Sequence, residues 1–168
     1  DFTGHGLPAA IGAMPVSEIF YGMAQKGCSM QDILREINKK LKRILPVGVF
    51  CCACMYDLSF RKRSAEVWVG GLPDVLVYRR ATREIENLRS KHLPLGVVDN
   101  DRFKTETSVI PLELGDKIYL WSDGIIEATN EQGEMFGEER VRDVIASTPD
   151  AEQIFSAIEA ASVFWLRP

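Results

Sequence analysis

From Val49 onward the apolar residues of this chain stop recurring every three or four positions. They alternate instead, or run together in short stretches broken by glycine, proline and polar turns. This switch of period restricts the fold more than any other feature. It predicts strands near 48–58, 64–70, 74–80, 103–110 and 116–122, with a polar turn from Ser59 to Arg63. Gly70-Gly71 followed by Pro73-Asp74 predicts a tight hairpin, and Leu93-Pro94-Leu95-Gly96-Val97 a connecting turn. The strands are not separated by helical patterns, so alternating βαβ units are excluded. An α+β layout follows, in which helices cover a mostly antiparallel sheet.

The helices lie at the two ends. Leu7 to Lys26 is rich in Ala, Met and Ile, with Pro8 suited to a first turn, Pro15 expected to bend the helix and Gly27 suited to its end. Ser29-Met30-Gln31-Asp32 resembles a capping box with Asp in place of Glu. Beyond it Ile33, Leu34, Ile37, Leu41, Ile44 and Leu45 mark one apolar face, opposite the basic residues Arg35, Lys39, Lys40, Lys42 and Arg43. Two short helices are expected at about 137–147 and 150–162.

A chain of 168 residues is read most simply as one domain, 1–168, with a sizeable core. With 20 basic against 24 acidic residues, the net charge of −4 gives no reason to expect nucleic acid or an anionic membrane as partner. No apolar run approaches the roughly 20 residues that span a bilayer. Of the four cysteines, Cys51, Cys52 and Cys54 fall in one strand-like run and alternate between its faces, so the three are not expected to converge on a metal. Free core cysteines fit a reducing, cytoplasmic setting. The first and last residues read as those of a piece cut from a longer polypeptide.

Two short segments carry the chemistry. Asp1-Phe2-Thr3-Gly4-His5-Gly6 and Trp121-Ser122-Asp123-Gly124 each set an aspartate beside a glycine turn at the end of strand-like chain. Such a carboxylate can hold a hard divalent cation, while the open backbone beside it offers carbonyl oxygens or room for water. Singly, each aspartate could equally be a helix cap or a turn residue. Together, with Glu127 four residues beyond Asp123, they point to one metal site assembled from distant parts of the chain.

Asp1-Phe2-Thr3-Gly4-His5-Gly6-Leu7-Pro8-Ala9-Ala10 resembles the D-x-x-G-H-G-x-x-A-A motif of the sporulation-stage-II-E branch of metal-dependent type 2C (PPM) protein phosphatases. Trp121 to Ala128 is similar to that branch's Y-S-D-G-(V/I)-x-E-A motif, Leu93 to Gly96 to its L-P-L-G turn, and Phe136-Gly137-Glu138-Glu139-Arg140 to its F-G-x-x-R element. The four occur in the family's order and cover nearly the whole chain.

The resemblance implies a mostly antiparallel β-sandwich flanked by helices, lacking some terminal strands here. It implies hydrolysis of phosphoserine and phosphothreonine with two Mn²⁺ or Mg²⁺ ions. Asp1 would bridge the ions, the Phe2 carbonyl would add a contact, and Asp123 would hold one metal; Gly4, His5, Gly6 and Gly124 would shape the site. The resemblance further implies a C-terminal piece of a bacterial signalling protein, such as a response regulator or sigma-factor regulator. An upstream sensor or receiver domain is then expected, with an anti-sigma-factor antagonist as phosphorylated partner; homodimerisation is allowed.

Three departures stand beside the matches. The family's upstream G-G-D and downstream D-D-x-T do not occur in this sequence, and Gly70-Gly71-Leu72-Pro73 has leucine where the family has the histidine of A-G-H-x-P. These favour an alternative, a catalytically impaired relative that serves as a protein-binding adaptor. Retention of Asp1 and Asp123 favours the enzyme.

Overall fold

The computed structural model describes residues 1–3, 7–148, 153–154 and 156–159. The chain divides into two compact units, Asp1–Leu72 with Arg89–Leu112, and Pro73–Leu88 with Glu113–Pro168. The expected α+β layout is present: the described residues form six strands in two antiparallel sheets, with helices before and after them.

In the first unit, α1 (Leu7–Ala24) continues through Pro15. It stops at Gly27, whose φ of 71° suits a residue without Cβ. The Gly27 N–H donates to Ala24 O at 3.0 Å and the Cys28 N–H to Met23 O at 3.1 Å, the paired bonds of a Schellman ending. α2 (Met30–Ile44) begins at Ser29, whose Oγ accepts from the Asp32 N–H at 3.1 Å. The shorter Asp32 carboxylate accepts from the Ser29 hydroxyl at 2.7 Å instead of reaching back to the backbone. Ile33, Leu34, Ile37 and Leu41 are buried, while Arg35, Lys39, Lys40, Lys42 and Arg43 are exposed.

β1 (Ala53–Ser59) and β2 (Ser64–Gly70) form a hairpin in register from Ala53↔Gly70 to Ser59↔Ser64. β5 (Ser108–Pro111) pairs with the other edge of β2. As the central strand, β2 buries Ala65, Val67, Trp68 and Val69, on both of its faces. Trp68 joins Cys51, Leu95, Phe103 and the apolar face of α2 in one core.

Two sequence expectations are corrected here. The strand expected at 103–110 begins only at Ser108. Upstream, backbone groups go to side chains and turns instead of a ladder. Lys104 O accepts from the Trp68 indole at 3.1 Å, Glu106 O lies 2.8 Å from His92 Nε2, and the Phe103 N–H bonds Asp99 O at 3.0 Å. The His92 ring also stacks on Trp68, with centroids 5.4 Å apart. Gly70-Gly71 forms no hairpin either, because β2 and the next strand belong to different sheets. The Gly71 N–H donates to His92 O at 3.1 Å, and a Cβ at Gly70 would come within 2.7 Å of Leu93 O. The glycines let a second segment press against the strand end.

In the second unit β3 (Val75–Tyr78) is fully buried between β4 (Ile85–Leu88) and β6 (Lys117–Tyr119). β4 was not expected: it is a short edge strand whose charged sequence carries little apolar alternation. α4 (Gly137–Ser147) packs Val141 and Ile145 into a core with Leu76, Phe136 and Ile154. The F-G-x-x-R element has a structural role here. Phe136 is buried, Gly137 takes φ 77°, and Arg140 Nη1 donates to Phe136 O at 2.7 Å. Residues 153–154 and 156–159 are helical, and the rest of the helix expected at 150–162 lies outside the described residues. Among the described residues no helix is long and apolar enough to cross a membrane.

A buried carboxylate ties β3 to the turn before β6. Asp116 accepts from Arg79 Nη1 at 2.8 Å and from the Arg80 and Glu113 N–H groups at 3.0 Å each. Burial pushes its carboxyl up, but the two backbone bonds and the guanidinium outweigh this and hold it below the usual aspartate range. A depressed folded value means that the unfolded chain binds the proton first. This stabilisation is therefore complete above the ordinary aspartate pKa of about 3.9 and is lost as pH falls through the folded value. Asp116→Asn is expected to cost about 2 kcal/mol at pH 7. Thermal melts from pH 7 to pH 2 should show the gap from wild type closing in acid; a gap constant with pH would refute the assignment.

Candidate metal centre

Asp1 enters the first unit on a short extended segment. Cys52 N donates to Asp1 O at 2.7 Å and Thr3 N to Phe50 O at 3.0 Å, so Phe2 faces Cys51 in a bridge without direct bonds between the two. In an antiparallel pair of this kind the flanking residues carry the hydrogen bonds, and the C=O of the central residue points away from the partner strand. The Phe2 carbonyl is thereby directed outward beside the exposed Asp1. The same Cys51 pairs on its other side with Leu95, through bonds of 2.9 and 2.8 Å. The Leu93–Val97 turn is therefore the third layer of the ladder that registers Asp1.

That turn is fastened to α2 by a residue that periodicity alone would place among the apolar positions. Asn38 is fully buried. Its Oδ1 accepts from the Gly96 N–H at 2.8 Å, and its Nδ2 donates to Val98 O at 3.0 Å and Asn100 Oδ1 at 2.7 Å. A polar residue on the buried side of α2 was the signal in the sequence, and it was passed over.

Asp123 lies in the second unit, and its setting is corrected. β6 ends at Tyr119, so Asp123 does not end a strand but starts a single helical turn, α3 (Asp123–Ile126). It is exposed, and its carboxylate takes no hydrogen bond from any other described residue. Gly124 is exposed, its φ is not positive, and a Cβ there would meet only Ser122 Oγ at 3.8 Å. Neither backbone strain nor packing within the chain requires glycine at this position. Glu127 caps the turn, its N–H donating to Asp123 O at 2.9 Å. Two residues before Asp123, the Trp121 indole N–H is buried with no partner among the described residues, a donor suited to an oxygen acceptor.

The structure thus brings Asp1 and Phe2 together on one strand, and Asp123 and Gly124 on one helical turn. Gly4, His5 and Gly6 lie outside the described residues. Among the described residues no three His, Cys, Asp or Glu side chains gather as a ligand set. The donors that are present fit a hard cation, since two exposed carboxylates and an outward carbonyl are all oxygen ligands. The cysteines do not compete for this role. Burial pushes Cys54 up to about 11 and raises Cys51, leaving both as inert thiols near neutral pH.

The sequence profile of the family described as Stage II sporulation protein E (SpoIIE) matches residues 1–162. The chain belongs to the SpoIIE family. Its sequence is 23% identical over 133 residues to the phosphoserine phosphatase RsbU of Bacillus subtilis (strain 168), covering 79% of this chain and 39% of that protein. The chain therefore spans about two fifths of that relative's length. Among solved structures, the SiaA-PP2C domain of Pseudomonas aeruginosa superposes with a TM-score of 0.78 at 20% identity, over 98% of this chain and 67% of the other. RsbX in complex with magnesium superposes at 0.71 and 15% identity, over 95% and 69%. These likenesses establish that this SpoIIE-family chain carries the PP2C fold.

Proposed function

We propose that this chain is the catalytic part of a metal-dependent phosphoserine/phosphothreonine protein phosphatase in bacterial signalling. Its substrate would be a phosphorylated regulator of the anti-sigma-factor-antagonist type. One observation carries the reading: in a SpoIIE-family chain, the ladder that holds Asp1 also turns the Phe2 carbonyl outward beside it.

Asp1 and Phe2 would hold one divalent cation, with Asp1 bridging to a second, and Asp123 would hold one from the start of α3. The magnesium bound by the structural relative RsbX supports a divalent ion of this class. When bound, Mn²⁺ or Mg²⁺ supplies charge neutralisation for the phosphate ester and lowers the pKa of coordinated water. The chain's own part is to fix these oxygens. The Asp1 strand is held by backbone bonds on one side, and the Phe2 C=O points away from them. Near Asp123, the Trp121 N–H can donate to an oxygen, and Gly124 leaves space beside the helical turn. Cytoplasmic location, an upstream sensor or receiver domain and homodimerisation belong to the same proposal.

The second reading, an adaptor without catalysis, is favoured by Leu72 in place of the family's histidine. Hydrolysis of a phosphoserine peptide by the full-length protein separates the two. Turnover should appear with Mn²⁺, vanish with EDTA and return on adding metal back. Absence of Mn²⁺-dependent turnover together with absence of calorimetric Mn²⁺ binding would overturn the catalytic reading.

A further inference from the structure

The second unit carries a concavity of about 740 Å³ that the proposed chemistry does not use. It lies between the β3–β4 loop, the turn before β6 and the end of α4, and is lined by Arg80, Arg83, Lys117, Tyr78, Gly115 and Ser147 among others. No carboxylate is among the described residues that line it. Of the two carboxylates adjacent in sequence to lining residues, Glu84 does not line the concavity, and Asp116 is engaged by Arg79 and two backbone N–H groups. Among the described residues no carboxylate pairs with the guanidinium of Arg80 or Arg83, and the Lys117 Nζ stands 5.9 Å from the Tyr78 ring.

Local structure holds this cluster in place. Arg80 lays its stem on the turn at Gly115, where a Cβ would stand 3.0 Å from Arg80 Cγ. The loop closes with Arg83 N donating to Arg79 O and Arg79 N to Glu84 O, each at 2.8 Å. This closure puts Arg83 at φ 61°, a left-handed conformation that favours glycine or asparagine. An arginine is thus kept where glycine would fold more easily. Ser147, at the end of α4, turns its hydroxyl back onto Asp143 O at 2.7 Å and so covers a carbonyl that would oppose an anion.

We propose that this concavity docks an acidic segment of the protein substrate, through carboxylates held by Arg80 and Arg83. The proposal rests on the phosphatase reading and deepens it. The volume is that of a ligand with many atoms, larger than one inorganic anion needs. Tyr78 is only 4% exposed, so no aromatic face is offered for stacking a nucleotide base. Guanidinium forks match carboxylates in a bidentate way. In a chain of net charge −4, a basic hollow also orients an acidic partner that the remaining surface repels.

The test uses the full-length protein and a fluorescein-labelled hexaglutamate peptide, read by anisotropy at low and high salt. Arg80→Gln with Arg83→Gly should weaken binding at least tenfold at low salt and flatten the salt dependence. Arg83→Gly relieves the backbone, so its melting temperature should hold or rise, which separates lost binding from lost folding. Mn²⁺-dependent hydrolysis of p-nitrophenyl phosphate should be unchanged in both variants. Peptide binding that is absent from the wild type, or equal in the double variant, overturns the proposal. Pyrophosphate or ATP binding more tightly than the peptide, in an Arg80- and Arg83-dependent way, overturns it in favour of a small-anion site. If ester hydrolysis is missing from the wild type while arginine-dependent peptide binding persists, the phosphatase reading has failed and the docking site stands.

Discussion

Asp123→Asn is expected to lower Mn²⁺-dependent phosphatase turnover roughly 10³-fold, the equivalent of about 4 kcal/mol of transition-state stabilisation. The fold should barely register the change. Asp123 is exposed, takes no hydrogen bond from the described residues, and opens a helix of one turn. The lost attraction between its charge and the helix start is worth only about 0.5 kcal/mol. A merely structural aspartate would give the opposite pattern, a lower melting temperature with activity kept in the folded fraction. The decisive pair of measurements is phosphopeptide turnover at saturating Mn²⁺ and a thermal melt on the same preparation. Unchanged turnover in a folded variant would remove Asp123 from the site.

Asn38→Leu should have the largest effect on stability, about 3 kcal/mol, seen as a fall of roughly 9 °C in melting temperature. Leucine fits the apolar side of α2 in size, so the loss does not come from volume. It comes mainly from the buried Gly96 N–H, which loses its acceptor, and also from the half-buried Val98 carbonyl, which loses its donor. Chemical denaturation should show a lower midpoint with an unchanged slope. A midpoint within 0.5 kcal/mol of wild type would mean that the turn finds other partners.

The sequence was most legible where one residue settles a local geometry. Ser29 caps α2 and Gly27 ends α1 as their types require, and the register of β1 with β2 follows from the polar loop between them. It was least legible where distant segments compete for the same backbone. Residues 103–107 have strand-like composition, yet Trp68 and His92 take the carbonyls that a ladder would need. Gly70-Gly71 has the composition of a hairpin but serves a close approach by the 92–94 segment. At the candidate site, Asp1 and Asp123 stand out in the sequence by their glycine contexts, whereas Phe2 is named only through the resemblance to the family's motif. That Asp123 opens a helical turn was not readable, because Leu120 and Trp121 continue the apolar run without continuing the strand. Asn38 shows only as a polar residue on the apolar side of α2, and Arg79 and Asp116 left no periodic trace, since a buried polar group is chosen for its partners and these come from elsewhere in the chain.

The ladder through Cys51 changes how a mutational survey of this protein would have to be interpreted. Leu95 bonds one side of Cys51, Phe2 pairs with the other, and Asn38 anchors the neighbouring Gly96. Variants in the Leu93–Val97 turn, or at Asn38, would displace the strand that presents Asp1 without removing a single candidate ligand. Scored by activity alone, they would be mistaken for members of the reaction centre. Only a survey that also counts folded molecules would separate the candidate ligands from the scaffold that holds them.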